Sequence, residues 1–385
     1  MTSDGFSVVL IARNEAATLP RLLASLKRFQ NEGGDVLVTD TGSTDETPAV
    51  ARRGGCNVVE VGQAFDHRVT RDEACVADSV VAGVVKEGDR LFRFADARNA
   101  AATHAREDWI MMPDADEYFA VLDPAALRRA IAAARAPRFS YDYVFARDGA
   151  GERLTAFYQS KLYDRRRLRW EGLIHEELGP PSSRDMIPRE VLSIEHAQNR
   201  ETDRTSYLRA LLVQHVQNPA EPRTLHYLGR ELAYKGDPRG IELLERHAAM
   251  TNADTSERSQ SLIHAGELWL AQGDEEKATG CWFRSFVLQP ERRDPVCRLA
   301  LHFLHGKRWE LAAYFAELAR TIPPTNQFYA NARSYYEELP DHVLYTARWW
   351  LGDRARAKDA YDRALAMKPH HPELLLDAQF FSENR

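Results

Sequence analysis

The chain has only four cysteines, Cys56, Cys75, Cys281 and Cys297, and no two of them form a Cys-x-x-Cys unit. Thiols so placed suit a reducing compartment, with burial in free form as the expectation. No apolar run approaches the length that spans a bilayer. The opening Met-Thr-Ser-Asp-Gly lacks the basic flank and apolar core of a signal peptide. A cytoplasmic location is therefore expected. Charge of one sign is not in excess either. The 51 basic and 57 acidic residues leave a net charge of −6, which does not favour nucleic acid or a membrane surface as partner. Three nucleotide and hydrolase signatures are missing as well. There is no Gly-x-x-x-x-Gly-Lys-Ser/Thr loop, no Gly-x-Gly-x-x-Gly fingerprint and no Gly-x-Ser-x-Gly elbow, so P-loop, dinucleotide and α/β-hydrolase roles have no support.

What remains is an ordinary soluble composition, 44% hydrophobic and 28% charged, over 385 residues, enough for two or three domains. The first half alternates short β-rich runs with helical patterns. Phe6–Ile11, Asp35–Thr39, Asn57–Val61 and Trp109–Met112 read as strands. Leu19, Leu22, Leu23 and Leu26 recur at helical spacing. Thr47-Pro48 and Asp123-Pro124 mark helix starts, the second helix running to about Ala134. Strands alternating with helices predict an α/β domain with a doubly wound, mostly parallel sheet. Ligands of such sheets lie beyond the carboxyl ends of the strands, where Asp40 and Asp114 fall. Residues 63–93 break the alternation and read as a partly helical insertion, either a flap over the site or a solvated excursion. Residues 139–196 return to strand-like runs, Phe139–Ala146 and Glu152–Tyr163 among them, with a hairpin signal at Asp148-Gly149.

The character of the chain changes near residue 220. Glu231–His247, Gly266–Pro290, Leu299–Pro323 and Leu344–Pro369 share one cadence of apolar helix, Gly-led turn and second helix. The turns Lys235-Gly236-Asp237, Gln272-Gly273-Asp274, His305-Gly306-Lys307 and Leu351-Gly352-Asp353 place their glycines 37, 33 and 46 residues apart. A period of about 34 residues is that of tetratricopeptide-like repeats, and the long last interval leaves room for a loop near Pro323–Pro340. Ala278, Ala312 and Ala360 would let paired helices approach closely. The array is either a buttress or a groove for an acceptor. The expected domains are 1–200, with the insertion at 63–93, and 201–385.

The chemistry concentrates at Trp109-Ile-Met-Met-Pro-Asp-Ala-Asp-Glu117. An apolar run ends at two carboxylates, Asp114 and Asp116. If strand geometry persists to the tip, both leave on one face and make a seat for a hard divalent cation that also holds phosphate oxygens. A solvated turn is the plain alternative. Three more clusters accompany it: Ala12-Arg13-Asn14-Glu15, Asp40-Thr41-Gly42-Ser43-Thr44-Asp45 and Asp96-Ala97-Arg98-Asn99. Ser43, Thr44 and Asp45 also suit helix capping. Arg98 carries a planar fork suited to a phosphate or a carboxylate. The run Lys161–Arg169 is strongly basic, and a solvated hairpin is its usual explanation.

In order and wording these clusters resemble a family 2 glycosyltransferase of GT-A fold, of the subgroup with helical repeats at its C-terminus. The resemblance covers roughly residues 6–200, more loosely the repeats. It implies a metal-dependent inverting transfer of sugar from a nucleotide-sugar, a UDP-sugar being favoured, with Mn²⁺ or Mg²⁺. Ala12, Asn14, Glu15, Asp40, Arg98, Asn99, Asp114 and Ala115 would then hold the donor. Asp116, with Asp114 and His196, would hold the metal. Glu117 fits either the surroundings of that metal or the surface. In Trp170-Glu-Gly-Leu-Ile-His-Glu-Glu177, Glu176 or His175 would take the acceptor proton. The acceptor is expected to be a protein or peptide side chain, with a glycan or lipid-linked sugar as alternative. A nucleotidyltransferase and an inactive repeat adaptor are the rival readings. Oligomeric state is not readable.

Overall fold

The computed structural model describes residues 5–147, 151, 153–180, 182–197, 204–324 and 333–381. The chain forms two compact units, Met1–Asn218 and Pro219–Arg385.

The first unit is built on one mixed sheet. Its strands are β1 (Phe6–Ala12), β2 (Asp35–Asp40), β3 (Asn57–Glu60), β6 (Trp109–Met111), β7 (Glu117–Leu122), β8 (Arg138–Arg147), β9 (Arg153–Asp164), β12 (Asp185–Met186) and β13 (Leu192–His196). The order is β3-β2-β1-β6-β9-β8-β13-β7, with β12 beside β8. The stretch from β3 through β6 is parallel, and antiparallel pairing begins where β9 joins β6. Every residue of β2, and all but one of β1, is buried, as expected of parallel strands covered on both faces. Leu19, Leu22 and Leu23 of α1 (Leu19–Ser25) pack into the same core as Val8, Leu10 and Val38. Each such side chain contributes roughly 1.5–3 kcal/mol by burial. Of the other helices, α2 is Lys27–Asn31, α3 is Thr47–Arg53, α5 is Phe94–Thr103 and α6 is Pro124–Ala132. Asp123 accepts from the N–H groups of Ala125 and Ala126 and so starts α6.

The expected α/β architecture is thus present, with the parallel half confined to one side of the sheet. The insertion at 63–93 is a small structured layer. Strands β4 (Asp66–Arg68) and β5 (Arg90–Phe92) pair antiparallel around α4 (Arg71–Val80), which opens on a Thr70/Glu73 capping box. It is fastened from two sides. Arg13 bonds Asp66 at 3.0 Å, and Arg209, on α7 (Arg204–Gln217), bonds Asp89 and the Val84 carbonyl. Strands β8 and β9 form the expected hairpin. Its turn signal at Asp148-Gly149 lies outside the described residues, as does part of the expected loop near Pro323–Pro340.

The second unit is helical. Four antiparallel pairs follow one another: α8 (Pro222–Tyr234) with α9 (Gly240–Ala249), α10 (Thr255–Ala271) with α11 (Glu275–Leu288), α12 (Asp294–His305) with α13 (Trp309–Thr321), and α15 (Leu339–Trp350) with α16 (Arg354–Met367). The short α14 (Arg333–Tyr336) precedes the last pair and α17 (Pro372–Phe381) follows it. These pairs are the four repeats expected from the cadence. Ala278, Ala312 and Ala360 are all fully buried. Gly266 lies so close to Trp282 that a Cβ there would come within 2.4 Å of the indole nitrogen.

One turn differs from its expectation. Gly236, Gly273 and Gly352 hold the left-handed position that ends a helix, but Gly306 does not, with φ −76°. Lys307 takes that position at φ 57°. The repeat junctions therefore fall at 236, 273, 307 and 352. A lysine in this conformation carries a steric cost of roughly 1–2 kcal/mol that glycine avoids. Lys307→Gly should raise the melting temperature by a few degrees, read by circular dichroism; an unchanged or lower value would remove the strain.

The buried seam of this unit also holds two histidines. Ser261 Oγ lies 2.8 Å from Nδ1 of both His226 and His247, and neither ring is exposed. Burial, then the neighbouring His247 and Arg230 charges, hold His226 well below its usual pKa. Burial, then Arg258, lowers His247 to about 4. The unfolded chain therefore binds more protons between about pH 6.5 and 4, so stability is full above pH 6.5 and declines as pH falls through that window. Thermal melts should show a loss of several degrees from pH 7 to 4.5, and His247→Asn should flatten the slope.

Candidate active site

The site is assembled at the carboxyl ends of β1, β2 and β6. Beyond β2, Asp40 is 4% exposed and its Oδ2 accepts from the N–H groups of Gly42 and Ser43 at 3.2 and 3.1 Å. Its Oδ1 is buried with no hydrogen-bond partner among the described residues. Gly42 sits at φ 94°, and a Cβ there would press on the Gly62 backbone at 3.1 Å. Glycine is thus required for this turn. Beyond β1, Asn14 is left-handed at φ 57°. Its N–H donates to Ser43 Oγ at 2.9 Å and its Oδ1 accepts from Thr44 N–H at 2.8 Å. The Glu15 N–H donates to Thr47 Oγ1 at 2.7 Å, and Thr18 Oγ1 donates to the Glu15 carboxylate. The Ala12 carbonyl accepts from Thr41 N–H. These bonds lace the two strand tips together. Asp45 accepts from Thr47 N–H and Ala16 N–H, a capping role.

The acidic tip is a turn rather than a continued strand. Strand β6 ends at Met111, Pro113 has no N–H for a ladder, and the N–H of Glu117, the first residue of β7, donates to the Asp114 carbonyl at 3.1 Å. The reasoning from strand alternation fails here, and the two carboxylates have different partners. Asp114 Oδ1 accepts from Arg98 Nη2 at 2.5 Å, and Oδ2 from Lys161 Nζ at 2.5 Å. Lys161 also donates to Glu117 Oε1 at 2.9 Å, while Glu117 Oε2 accepts from the Asp114 N–H. Arg98 Nε donates to Glu176 Oε1 at 2.8 Å. Asp116 instead faces His196, whose Nε2 is 3.2 Å from Oδ2. That pair remains open, with side chains 35% and 25% exposed.

Electrostatics follow from these contacts. Burial alone would raise the Asp114 pKa, but Lys161 and Arg98 outweigh it and hold the carboxyl well below its usual range. Burial raises Glu117, with Lys161 opposing. The Asp116 hydrogen bond raises His196. Arg98 is 4% exposed and stacks 5.0 Å from the Trp170 ring, so it is a fixed charge inside the protein.

Each residue singled out in the sequence has a place in this geometry. Asn14, Glu15 and Asp40 meet across the first two strand tips. Arg98, Asp114 and Glu176 meet in one ion network, and Asp116 meets His196. Asn99 binds the strand β10 (Arg169–Glu171), which pairs with β11 (Glu177–Gly179). Its Nδ2 donates to the Trp170 carbonyl at 2.8 Å, and its Oδ1 accepts from Trp170 N–H at 2.9 Å. Its amide thereby pins the segment leading to Glu176. Ala115 is buried in the core. His175 stands at φ 52°, 5.4 Å from the Tyr207 ring. Its loop is held by Gln214 of α7, which accepts from Leu173 and Ile174 N–H. Lys161 was missed. It is the first residue of the basic run, yet it is buried, whereas Arg165 and Arg166 pair with Asp108. The available signal was its place inside a β-rich run with Leu162 and Tyr163, where a lysine needs a buried partner.

Residues 7–74 match the family model described as Glycosyl transferase family 2. A TPR repeat-containing protein of Synechococcus elongatus is 34% identical over 111 residues, which cover 29% of this chain and 20% of that protein. The chain thus spans about one fifth of the length of this curated relative. Two solved structures show slight likeness. A crystal structure of MamA has a TM-score of 0.37 at 18% identity, over 43% of this chain and 90% of that one. PilW, described as a widely conserved type IV pilus biogenesis factor, has a TM-score of 0.38 at 14% identity, over 46% and 76%. The chain is thus similar to family 2 glycosyltransferases over residues 7–74, and its second unit repeats paired helices. No helix among the described residues is long and apolar enough to cross a membrane.

The ion network predicts a large effect of one substitution. Lys161→Met strands Glu117 and Asp114 beside a single cation, which should cost about 3–5 kcal/mol of stability. Urea unfolding would read this, and adding Glu117→Gln should recover part of it. A neutral Lys161→Met would overturn the network.

Proposed function

We propose that the first unit transfers a sugar from a nucleotide-sugar to an acceptor hydroxyl, with inversion at the anomeric carbon. The observation that carries this reading is the buried, unpartnered Oδ1 of Asp40 at the laced strand tips. An unsatisfied buried carboxylate oxygen costs stability unless a donor reaches it. A uracil N–H or ribose hydroxyl is such a donor, and a UDP-sugar is the favoured substrate.

Asp116 and His196 are the residues that would hold Mn²⁺ or Mg²⁺. Their chemistry fits, because a carboxylate and an imidazole face each other with exposed edges. No cluster of three or more metal-ligating side chains occurs among the described residues, so substrate oxygens would complete the shell. A bound cation supplies charge neutralisation for the departing diphosphate. Asp114 serves differently in this reading. With both oxygens bound to cationic side chains, it anchors the acidic tip.

Glu176 is the base. The acceptor oxygen bonds to the anomeric carbon, the bond to diphosphate breaks, and the acceptor proton passes to the Glu176 carboxylate. Arg98 holds that carboxylate in place through Nε. His175, adjacent in the same loop, orients substrate. A reducing, cytoplasmic setting suits the four cysteines, all of them free thiols.

Glu176→Gln should lower turnover about 10²–10⁴-fold while calorimetric affinity for the nucleotide-sugar stays near wild type. Asp116→Ala should abolish Mn²⁺-dependent transfer. Wild-type turnover in both variants, or failure of nucleotide-sugars to bind the native protein, would refute the reading.

A further inference from the structure

Glu176, the base of the proposed transfer, sits in a hairpin turn. Strands β10 and β11 pair Glu171 with Glu177, so residues 172–176 form the turn between them. Two of these residues are left-handed, Gly172 at φ 100° and His175 at φ 52°. For histidine that conformation is costly and persists only where the surroundings enforce it. The turn is also tightly closed, since a Cβ on Gly172 would stand 3.6 Å from the Glu176 Cα. Leu173 and Ile174 are buried, so their N–H groups need a partner within the protein. One oxygen meets these demands. Gln214 Oε1 accepts from Leu173 N–H at 2.6 Å and from Ile174 N–H at 2.9 Å, and it lies 3.7 Å from where a Gly172 Cβ would be. The turn is wrapped around the end of this side chain.

Gln214 comes from α7, and α7 is itself anchored. Leu211, Leu212 and Val213 beside it are fully buried. Arg209 holds the insertion at Asp89 and at the Val84 carbonyl, and Gln217 Nε2 donates to Glu73 Oε1 at 2.7 Å. Helix and insertion brace each other, so the Gln214 amide is delivered from a fixed platform. The stem of the hairpin is secured separately, by Asn99 on Trp170. At the far end of the turn Glu176 accepts from Arg98, but Arg98 also holds Asp114 and so serves the acidic tip as well. Gln214 bonds the main chain of the turn and carries no charge. Its loss would alter the position of the base without altering the charge beside it.

We propose that Gln214 is a positioning residue for proton transfer: its side-chain oxygen holds the 172–176 turn in the shape that keeps the Glu176 carboxylate on Arg98 and toward the acceptor. This rests on the glycosyl-transfer reading, in which Glu176 is the base. Gln214→Leu removes the acceptor oxygen at similar volume. Gln214→Asn, which withdraws the amide by one methylene, is the second variant should the first melt early by circular dichroism. Hydrogen exchange on the full chain should show the Leu173 and Ile174 amides exchanging about tenfold faster or more. Turnover is read as UDP release from UDP-glucose, UDP-galactose and UDP-N-acetylglucosamine with Mn²⁺, water being the acceptor. In either variant kcat should fall about 10–100-fold, while calorimetric affinity for the same UDP-sugar changes less than about twofold. On the Glu176→Gln background the same substitution should cost little more, because no base remains to be misplaced. A role confined to docking α7 on the hairpin would multiply the two losses instead. Native exchange rates at both amides, native turnover in both Gln214 variants, or fully multiplied losses would refute the positioning role while Glu176 stands as the base. If Glu176→Gln turns over as the native chain does, or if the native chain turns over none of these sugars, the transfer reading itself fails and the positioning role falls with it.

Discussion

Two buried cations hold the acidic end of the sheet together. Arg98 and Lys161 share Asp114 between them, and each carries a further carboxylate, Glu176 and Glu117. Three negative groups around two positive ones leave a small local excess of negative charge. In a site of low dielectric this arrangement exacts a large desolvation cost, and only good geometry offsets it. What the arrangement gives in return is position. The turn after β6, the loop before β11 and the middle of α5 are tied to one point, so Asp116 and Glu176 are presented from a fixed frame. A buried ion pair contributes little net stability compared with an apolar substitute, and its presence here is better explained by that need for orientation.

The same division of labour runs along the sheet. Its parallel half ends in tips laced by backbone and short side chains, Asn14 to Ser43 and Thr44, Glu15 to Thr47. Such tips bring main chain near a ligand and leave one carboxylate oxygen of Asp40 open. Its antiparallel half offers side chains instead, aromatic and charged, because hairpin strands project alternate residues into the space beside the tip. The two halves of the sheet are therefore built from different kinds of backbone pairing.

The repeats obey a simpler physics. Small residues at Gly266, Ala278, Ala312 and Ala360 set the distance between paired helices, and a left-handed residue ends the first helix of each pair. Three of those residues are glycines. At Lys307 the chain adopts the same turn without one, so the turn does not depend on a glycine at that position.

Much of this could be read along the chain. Runs such as Phe6–Ala12 and Asp35–Asp40, the proline-marked helix starts and the repeat cadence depend on neighbours in sequence, so local pattern determined them. The residues at the strand tips were legible for the same reason. The partners of those residues were not. Lys161 reaches Asp114 across 47 positions, Arg98 reaches Glu176 across 78, and His196 reaches Asp116 across 80. Asn99 was read as a ligand contact, although its amide spans 71 positions to clamp Trp170. Lys161 was hidden in a basic run. Which charge meets which is decided by strand order and register, because only the closed sheet brings those segments within hydrogen-bonding distance.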